Sequence, residues 1–238
     1  MALYDILICV FLLLAAVLSF VTRKLTLTGA ATGFIVGLLI YKGAGLTGIA
    51  MLALFFVAGS WATGWQISKK KAIGFAEQNK GRRTASQVLA NGGTAALLGA
   101  LAWSLPAHAA ILQVMMAGSL AAATADTLSS ELGTVYGSRF FNILSLRKDT
   151  RGLDGVVSLE GTLIGIAGAA LVATIYSLAF GWGPAFYWII IAGFIGNLAD
   201  SVLGAAFERK KQMGNNLVNF LNTLTGALVC FILFKLYR

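Results

Sequence analysis

Eight apolar runs, parted by stretches of 2 to 29 residues, leave this chain few ways to fold. They lie at approximately 2–22, 28–41, 44–65, 86–103, 108–126, 156–180, 184–206 and 216–236. About 20 apolar residues in helical form cross the roughly 30 Å hydrocarbon layer of a bilayer. No water is available there, so each backbone N–H and C=O must be bonded within its own helix. The sequence therefore reads as an all-α polytopic membrane protein, with residues 1–238 forming a single integral membrane domain. A bundle of seven to eight transmembrane helices is expected. The count turns on run 28–41, whose shortness allows tilt, a re-entrant path or partial insertion. Charged residues make up only 11% of the chain, against about 25% in soluble domains. The first run has no basic leader and no small-x-small site at its end, so it reads as a retained helix and not as a signal peptide.

The net charge of +9 follows topology and gives no reason to expect a nucleic-acid partner. With the loops after the first, third, fifth and seventh runs on the cytoplasmic side, 15 of the 18 basic residues lie there. This is the pattern of the positive-inside rule. It places both termini outside, in a bacterial-type inner or plasma membrane. Eight of the nine acidic residues fall near the same face: Glu77, Asp126, Glu131, Asp149, Asp154, Glu160, Asp200 and Glu208. The rule governs Lys and Arg only, so carboxylates gathered there point to a polar site on that face.

A weak parallel repeat runs through the chain. Gly93-Thr94 and Gly161-Thr162 each lie early in an apolar run, and the following runs close on Ala125-Asp126-Thr127 and Ala199-Asp200-Ser201. A carboxylate in a membrane helix is costly unless it is paired, hydrated or bound to a cation. Asp126, Glu131 and Asp200 are therefore the candidate ligands of a Mg²⁺ ion, which prefers a few carboxylates with phosphate oxygens and water. Lys148, Arg151 and Arg139 are the candidate charge-neutralising cations, with Asp126, Lys148 and Arg151 as the catalytic set. Gly152, Asp154 and Gly155 lead into Ser158, Glu160 and Thr162. Such a flexible stretch ending at a helix N-terminus suits a phosphate. Gln87, Asn91 and Thr94 share one helical face, as do Asn219 and Asn222 on another. Polar faces of this kind either bond between helices or contact a substrate.

Three stretches resemble the DUF92 / transmembrane protein 19 family: Ala125-Asp126-Thr127-Leu128-Ser129-Ser130-Glu131-Leu132-Gly133, Gly155-Val156-Val157-Ser158-Leu159-Glu160-Gly161-Thr162 and Asn216-Leu217-Val218-Asn219-Phe220-Leu221. Gly81-Arg82-Arg83 through Gly92 fits as well, and the resemblance covers nearly the whole chain. Val156 stands where family members often carry a second glycine. The family includes the plant phytyl-phosphate kinase. The resemblance thus implies transfer of the γ-phosphate of CTP, GTP or ATP to an isoprenoid monophosphate, with Asn219, Asn222, Gln87 and Asn91 orienting the acceptor. Two other readings remain open at this stage. One is a transporter or lipid translocator, since such proteins also carry parallel repeats and intramembrane aspartates. The other is a CTP-dependent lipid cytidylyltransferase, because Asp126 followed by Gly137-Ser138-Arg139 and Lys148 is also loosely similar to those enzymes. A homodimer is compatible with the sequence.

Overall fold

The computed structural model describes residues 3–72 and 81–237, so Glu77 and Lys80 lie outside the described residues. The protein is an all-α membrane protein. Its helices are α1 (Leu3–Val21), α2 (Leu27–Gly64), α3 (Ile67–Ala72), α4 (Ala85–Ser104), α5 (Ala109–Tyr136), α6 (Leu159–Phe180), α7 (Pro184–Leu203) and α8 (Asn215–Tyr237). Two-residue strands β1 (Phe141–Asn142) and β2 (Val156–Val157) pair antiparallel. Among the described residues, six of the helices are long and apolar enough to cross a bilayer.

One of those six is a pair. The 38-residue α2 is broken at Gly45, whose φ of 59° and ψ of −146° are not helical. A Cβ on Gly37 would lie 3.7 Å from a methyl of Leu52, and one on Gly48 would lie 3.0 Å from the Ile40 carbonyl. Residues 15 apart touch only if the chain doubles back, so α2 is a hairpin. Its first arm, 27–44, is about 27 Å long at 1.5 Å per residue. This is the run whose shortness left the helix count open, and as a helix it is four residues longer than the apolar pattern alone. The 20-residue α4 is more polar, with Ser86, Gln87, Asn91 and Thr94 on its first half, yet it too is long enough to span.

Helix α5 is the axis of the bundle. Residues Ala117 to Ala125 are all essentially inaccessible. The other helices form a ring around it in the order α2, α4, α8, α7, α6, and α1 packs outside on α2. Small residues make this possible, because lipid supplies no hydrophobic drive and helices must gain by close contact. A Cβ on Gly118 of α5 would lie 2.6 Å from the Gly226 carbonyl of α8. A Cβ on Gly165 of α6 would lie 3.0 Å from the Ala125 carbonyl. Helix α1 is the reverse case, with Leu3, Leu7, Leu14 and Leu18 exposed. In a bilayer those side chains are solvated by acyl chains.

The ends of the helices sort onto two faces. Asp5 of α1 lies 3.6 Å from Lys42, and Lys42 sits over the Trp103 ring, so these mark one face. The other face holds the end of α1, both outer ends of α2, the starts of α4, α6 and α8, and the ends of α5 and α7. Leu25 bridges Arg83, and Trp65 Nε1 donates to the Tyr136 hydroxyl at 2.8 Å. The pairs α4–α5 and α6–α7 run in the same direction, as the repeat requires. Gly43 and Gly99 bring α2 onto α4, and a Cβ on Gly43 would lie 2.5 Å from Gly99 Cα. Gly43→Val should therefore lower stability by about 1–3 kcal/mol, read as a drop in the thermal midpoint of purified protein in detergent.

Candidate functional site

A cavity of about 920 Å³ opens on the second face. It is walled by the starts of α4, α6 and α8, the final turns of α5 and the end of α7. Asp126 and Asp200 both lie on this wall, with their carboxyl groups close enough to share a hydrogen bond. Asp200 Oδ1 has no hydrogen-bond partner. Two adjacent carboxylates away from bulk water need a shared proton or a bound cation. The sequence pattern placed Asp126 at a helix end, but α5 runs on for ten residues to Tyr136. The added turns remain helical because their polar groups are satisfied. Thr134 donates to the Ser130 carbonyl at 2.6 Å, and Glu131 forms an ion pair with Lys70.

That ion pair was not legible in the sequence. Lys70 belongs to a Lys-Lys-Lys run that reads as a topology signal, yet it is only 1% exposed. Its Nζ also donates to the Ala62 carbonyl at 2.6 Å and to that of Thr63 at 3.4 Å. A lysine suits that place, because these carbonyls end a helix and carry its negative pole. Glu131, expected as a third metal ligand, thus has a cation of its own. Among the described residues no three His, Cys, Asp or Glu side chains gather as an all-protein metal cage.

Three helix N-termini meet at the cavity. Thr84 caps α4 in a capping box with Gln87, Ser158 Oγ caps α6 through Gly161 N at 3.1 Å, and Asn215 opens α8. Each helix start turns its positive pole toward the cavity. On the third side, α7 ends in a π-helical turn, Gly204–Glu208, which adds Glu208 to the wall. Gly152 and Gly155 hold φ of 85° and 71°, in the left-handed region that glycine tolerates. Gly155 also packs against the Ala205 backbone, where a Cβ would clash. Val156, the departure from the family pattern, opens strand β2 opposite Asn142, a place that β-branched residues favour.

The expected site residues divide into two groups. Gln87, Asn91, Asp126, Glu131, Gly152, Asp154, Gly155, Ser158, Asp200 and Asn219 line the cavity. Lys148, Arg151, Arg139, Glu160, Thr162, Thr94 and Asn222 do not. Lys148 bridges Phe141 within the β1–β2 loop, and Arg151 stacks on the Phe140 ring at 5.8 Å. Glu160 accepts from the Ser138 backbone and hydroxyl, and Thr162 bonds back to the Ser158 carbonyl. Thr94 meets Thr223 at 3.0 Å one helical turn below the floor. Asn222 is fully buried there against Gly196, with neither side-chain polar atom partnered. Residues on the wall that sequence reasoning did not assign include Arg83, Asn197 and Glu208.

The loop from Ser138 to Val157 is held to the end of α7 by Arg209. Its Nη1 donates to Asp149 Oδ2 and its Nη2 to the Asp154 carbonyl, both at 2.8 Å. The Arg209 hydrogen bond holds the Asp149 carboxyl below its usual range, while burial pushes that of Asp154 up. For Asp149 the folded pKa is the lower one. Its contribution is complete above the unfolded value of about 3.9 and is lost as pH falls through the folded value. The protection factors of the amides of residues 141–149, with the intrinsic exchange rate divided out, should therefore fall at pH values below about 4. Asp149→Asn should show the lower protection at neutral pH as well.

The helices and the cavity define a polytopic membrane protein with a polar, carboxylate-bearing pocket at one face. Residues 10–227 match the model of the integral membrane protein family DUF92, and the chain belongs to that family. It is 31% identical over 216 residues to the chloroplastic protein VTE6 of Arabidopsis thaliana, covering 88% of this chain and 65% of that one. It is 31% identical over 231 residues to a membrane protein of Methanocaldococcus jannaschii, covering 94% and 92% of the two chains. A membrane protein of Synechocystis is 32% identical over 210 residues, covering 87% and 81%. No solved structure matches the chain.

Proposed function

We propose that this protein is a prenyl-phosphate kinase, moving the γ-phosphate of a nucleoside triphosphate onto an isoprenoid monophosphate. The observation that carries the reading is the Asp126–Asp200 pair in a cavity onto which three helix N-termini open. A volume of about 920 Å³ is at the upper end of small-molecule sites. The positive helix poles suit phosphates. The family resemblance carried by the Asp126, Ser158–Thr162 and Asn219 stretches supports the same chemistry. The basic loops argue that the cavity faces the cytoplasm, where nucleotides are available.

Asp126 and Asp200 fit a hard divalent cation, since their carboxyl groups are adjacent and Asp200 Oδ1 has no hydrogen-bond partner. They would hold Mg²⁺, leaving its other positions to phosphate oxygens and water. When bound, the ion supplies neutralisation of the nucleotide's phosphate charge. The acceptor's phosphate oxygen forms the new bond to the γ-phosphorus. The bond from that phosphorus to the β,γ-bridging oxygen breaks, and its electron pair leaves with the nucleoside diphosphate. A phosphate acceptor is already ionised and needs no general base, in keeping with a wall that holds no His or Cys among the described residues.

The test is the leaving product. Purified protein with Mg²⁺, geranylgeranyl or phytyl monophosphate and each nucleotide in turn should release nucleoside diphosphate only when the acceptor is present. Pyrophosphate release from CTP would replace this reading with a cytidylyltransferase. No release of either product from folded protein would remove both.

A further inference from the structure

Asn222 of α8 is fully buried, and neither its Oδ1 nor its Nδ2 has a hydrogen-bond partner. Burial here does not by itself isolate a polar group. The adjacent Thr223 is equally buried, yet its hydroxyl meets that of Thr94 at 3.0 Å and donates to the Phe220 carbonyl at 2.8 Å. A buried amide without a protein partner costs stability, and one that persists is normally met by water or an ion. Asn222 also lies off the cavity wall, which removes it from the acceptor contacts that the family resemblance implied.

Its neighbours lie one helical turn beneath the carboxylate pair. A Cβ on Gly196 of α7 would lie 2.8 Å from Asn222 Oδ1 and 2.5 Å from the Ala122 methyl of α5. Gly196 comes four residues before Asp200, and Ala122 four residues before Asp126. Each therefore shares a helical face with its aspartate. Side chains lean toward the N-terminus of their helix. Helices α5 and α7 end at the cavity, so both aspartates lean back over Ala122 and Gly196. Helix α8 begins at the cavity, so Asn222 leans the other way, toward them. The small residues at 122 and 196 give that layer to the amide.

Charge separates an ion from a water here. Asp126 and Asp200 together match a divalent cation, and Glu131 is already paired with Lys70. A third carboxylate would add a buried charge to a pair that already repels. An amide oxygen adds a hard ligand without charge. Its Nδ2 supplies the donor that ligating carboxylates ordinarily take from a neighbour.

The geometry points to Asn222 as a third ligand of the divalent cation, offering Oδ1 from beneath the cavity floor to an ion held by Asp126 and Asp200. This inference rests on the cation of the proposed reaction and not on the transfer itself, so its test is metal binding without nucleotide or lipid. Mn²⁺ would be titrated against purified protein in detergent, with the free ion read from its electron paramagnetic resonance signal and a melting curve recorded for each metal-free protein. Asn222→Leu should weaken Mn²⁺ binding by roughly 10- to 100-fold. Its metal-free midpoint should hold or rise, because an apolar side chain of similar size replaces an unpartnered amide. Asn222→Asp keeps an oxygen at the same place, so it should bind Mn²⁺ at least as tightly as the native protein. Its metal-free midpoint should fall, since a third carboxyl joins the pair. Native affinity in Asn222→Leu, a metal-free midpoint that falls in that variant, weakened binding that Asn222→Asp shares, or no saturable Mn²⁺ binding by the native protein would each overturn the assignment. Asn222-dependent Mn²⁺ binding without phosphoryl transfer would leave it standing and remove the kinase reading alone.

Discussion

Asp126→Asn should lower phosphoryl transfer by about 10²- to 10³-fold, the scale of losing a preorganised electrostatic group in a shielded site. The substitution keeps the shape of the side chain and removes one charge of the Asp126–Asp200 pair. Two like charges set together away from water oppose folding, so thermal stability in detergent should hold or rise. Loss of activity with gain of stability is what a site strained for function predicts. A variant that lost both would mark Asp126 as structural. Initial rates and a melting curve on the same preparation separate the two.

Lys70→Ala should have the largest effect on folding, a loss of about 3–5 kcal/mol. It removes the buried partner of Glu131 and leaves a carboxylate with little water around it, since Glu131 is 6% exposed. The Ala62 and Thr63 carbonyls lose their donor at the same time. The double variant Lys70→Met with Glu131→Leu should recover most of that loss, because well-packed apolar residues replace a buried ion pair at little cost. Denaturant or thermal unfolding of the three proteins forms the test. A neutral Lys70→Ala would mean that water reaches the pair.

The helical runs were legible because a bilayer leaves one local solution for the backbone, and the apolar pattern reports it directly. Loop charge paired the right helix ends, and the α2 hairpin at Gly45 is what allows that pairing. The turn itself was the harder feature. A single glycine with positive φ, three residues after Lys42, reverses the chain, and the shortness of run 28–41 left open whether it spans. In the cavity, Asp126, Asp200 and the Gly152–Ser158 stretch stood out because charge and glycine have few other uses at a membrane helix end. Lys148 and Arg151 shared that signal, yet they serve a small β-paired loop instead. Lys70 and Arg83 carry ordinary cationic sequence, and only tertiary packing distinguishes them. Glu208 reaches the wall through a π-turn, which spacing based on 3.6 residues per turn does not register.

On the proposed reading, Asp126 and its neighbours serve transfer of a phosphoryl group to a lipid phosphate. The most direct measurement follows γ-labelled nucleotide in proteoliposomes containing geranylgeranyl monophosphate and Mg²⁺, with the lipids separated by thin-layer chromatography. Native protein should place label in a lipid diphosphate, and Asp126→Asn should place about 10²-fold less or lower. Lipid that stays unlabelled with CTP, GTP and ATP, from protein shown to be folded, would contradict it.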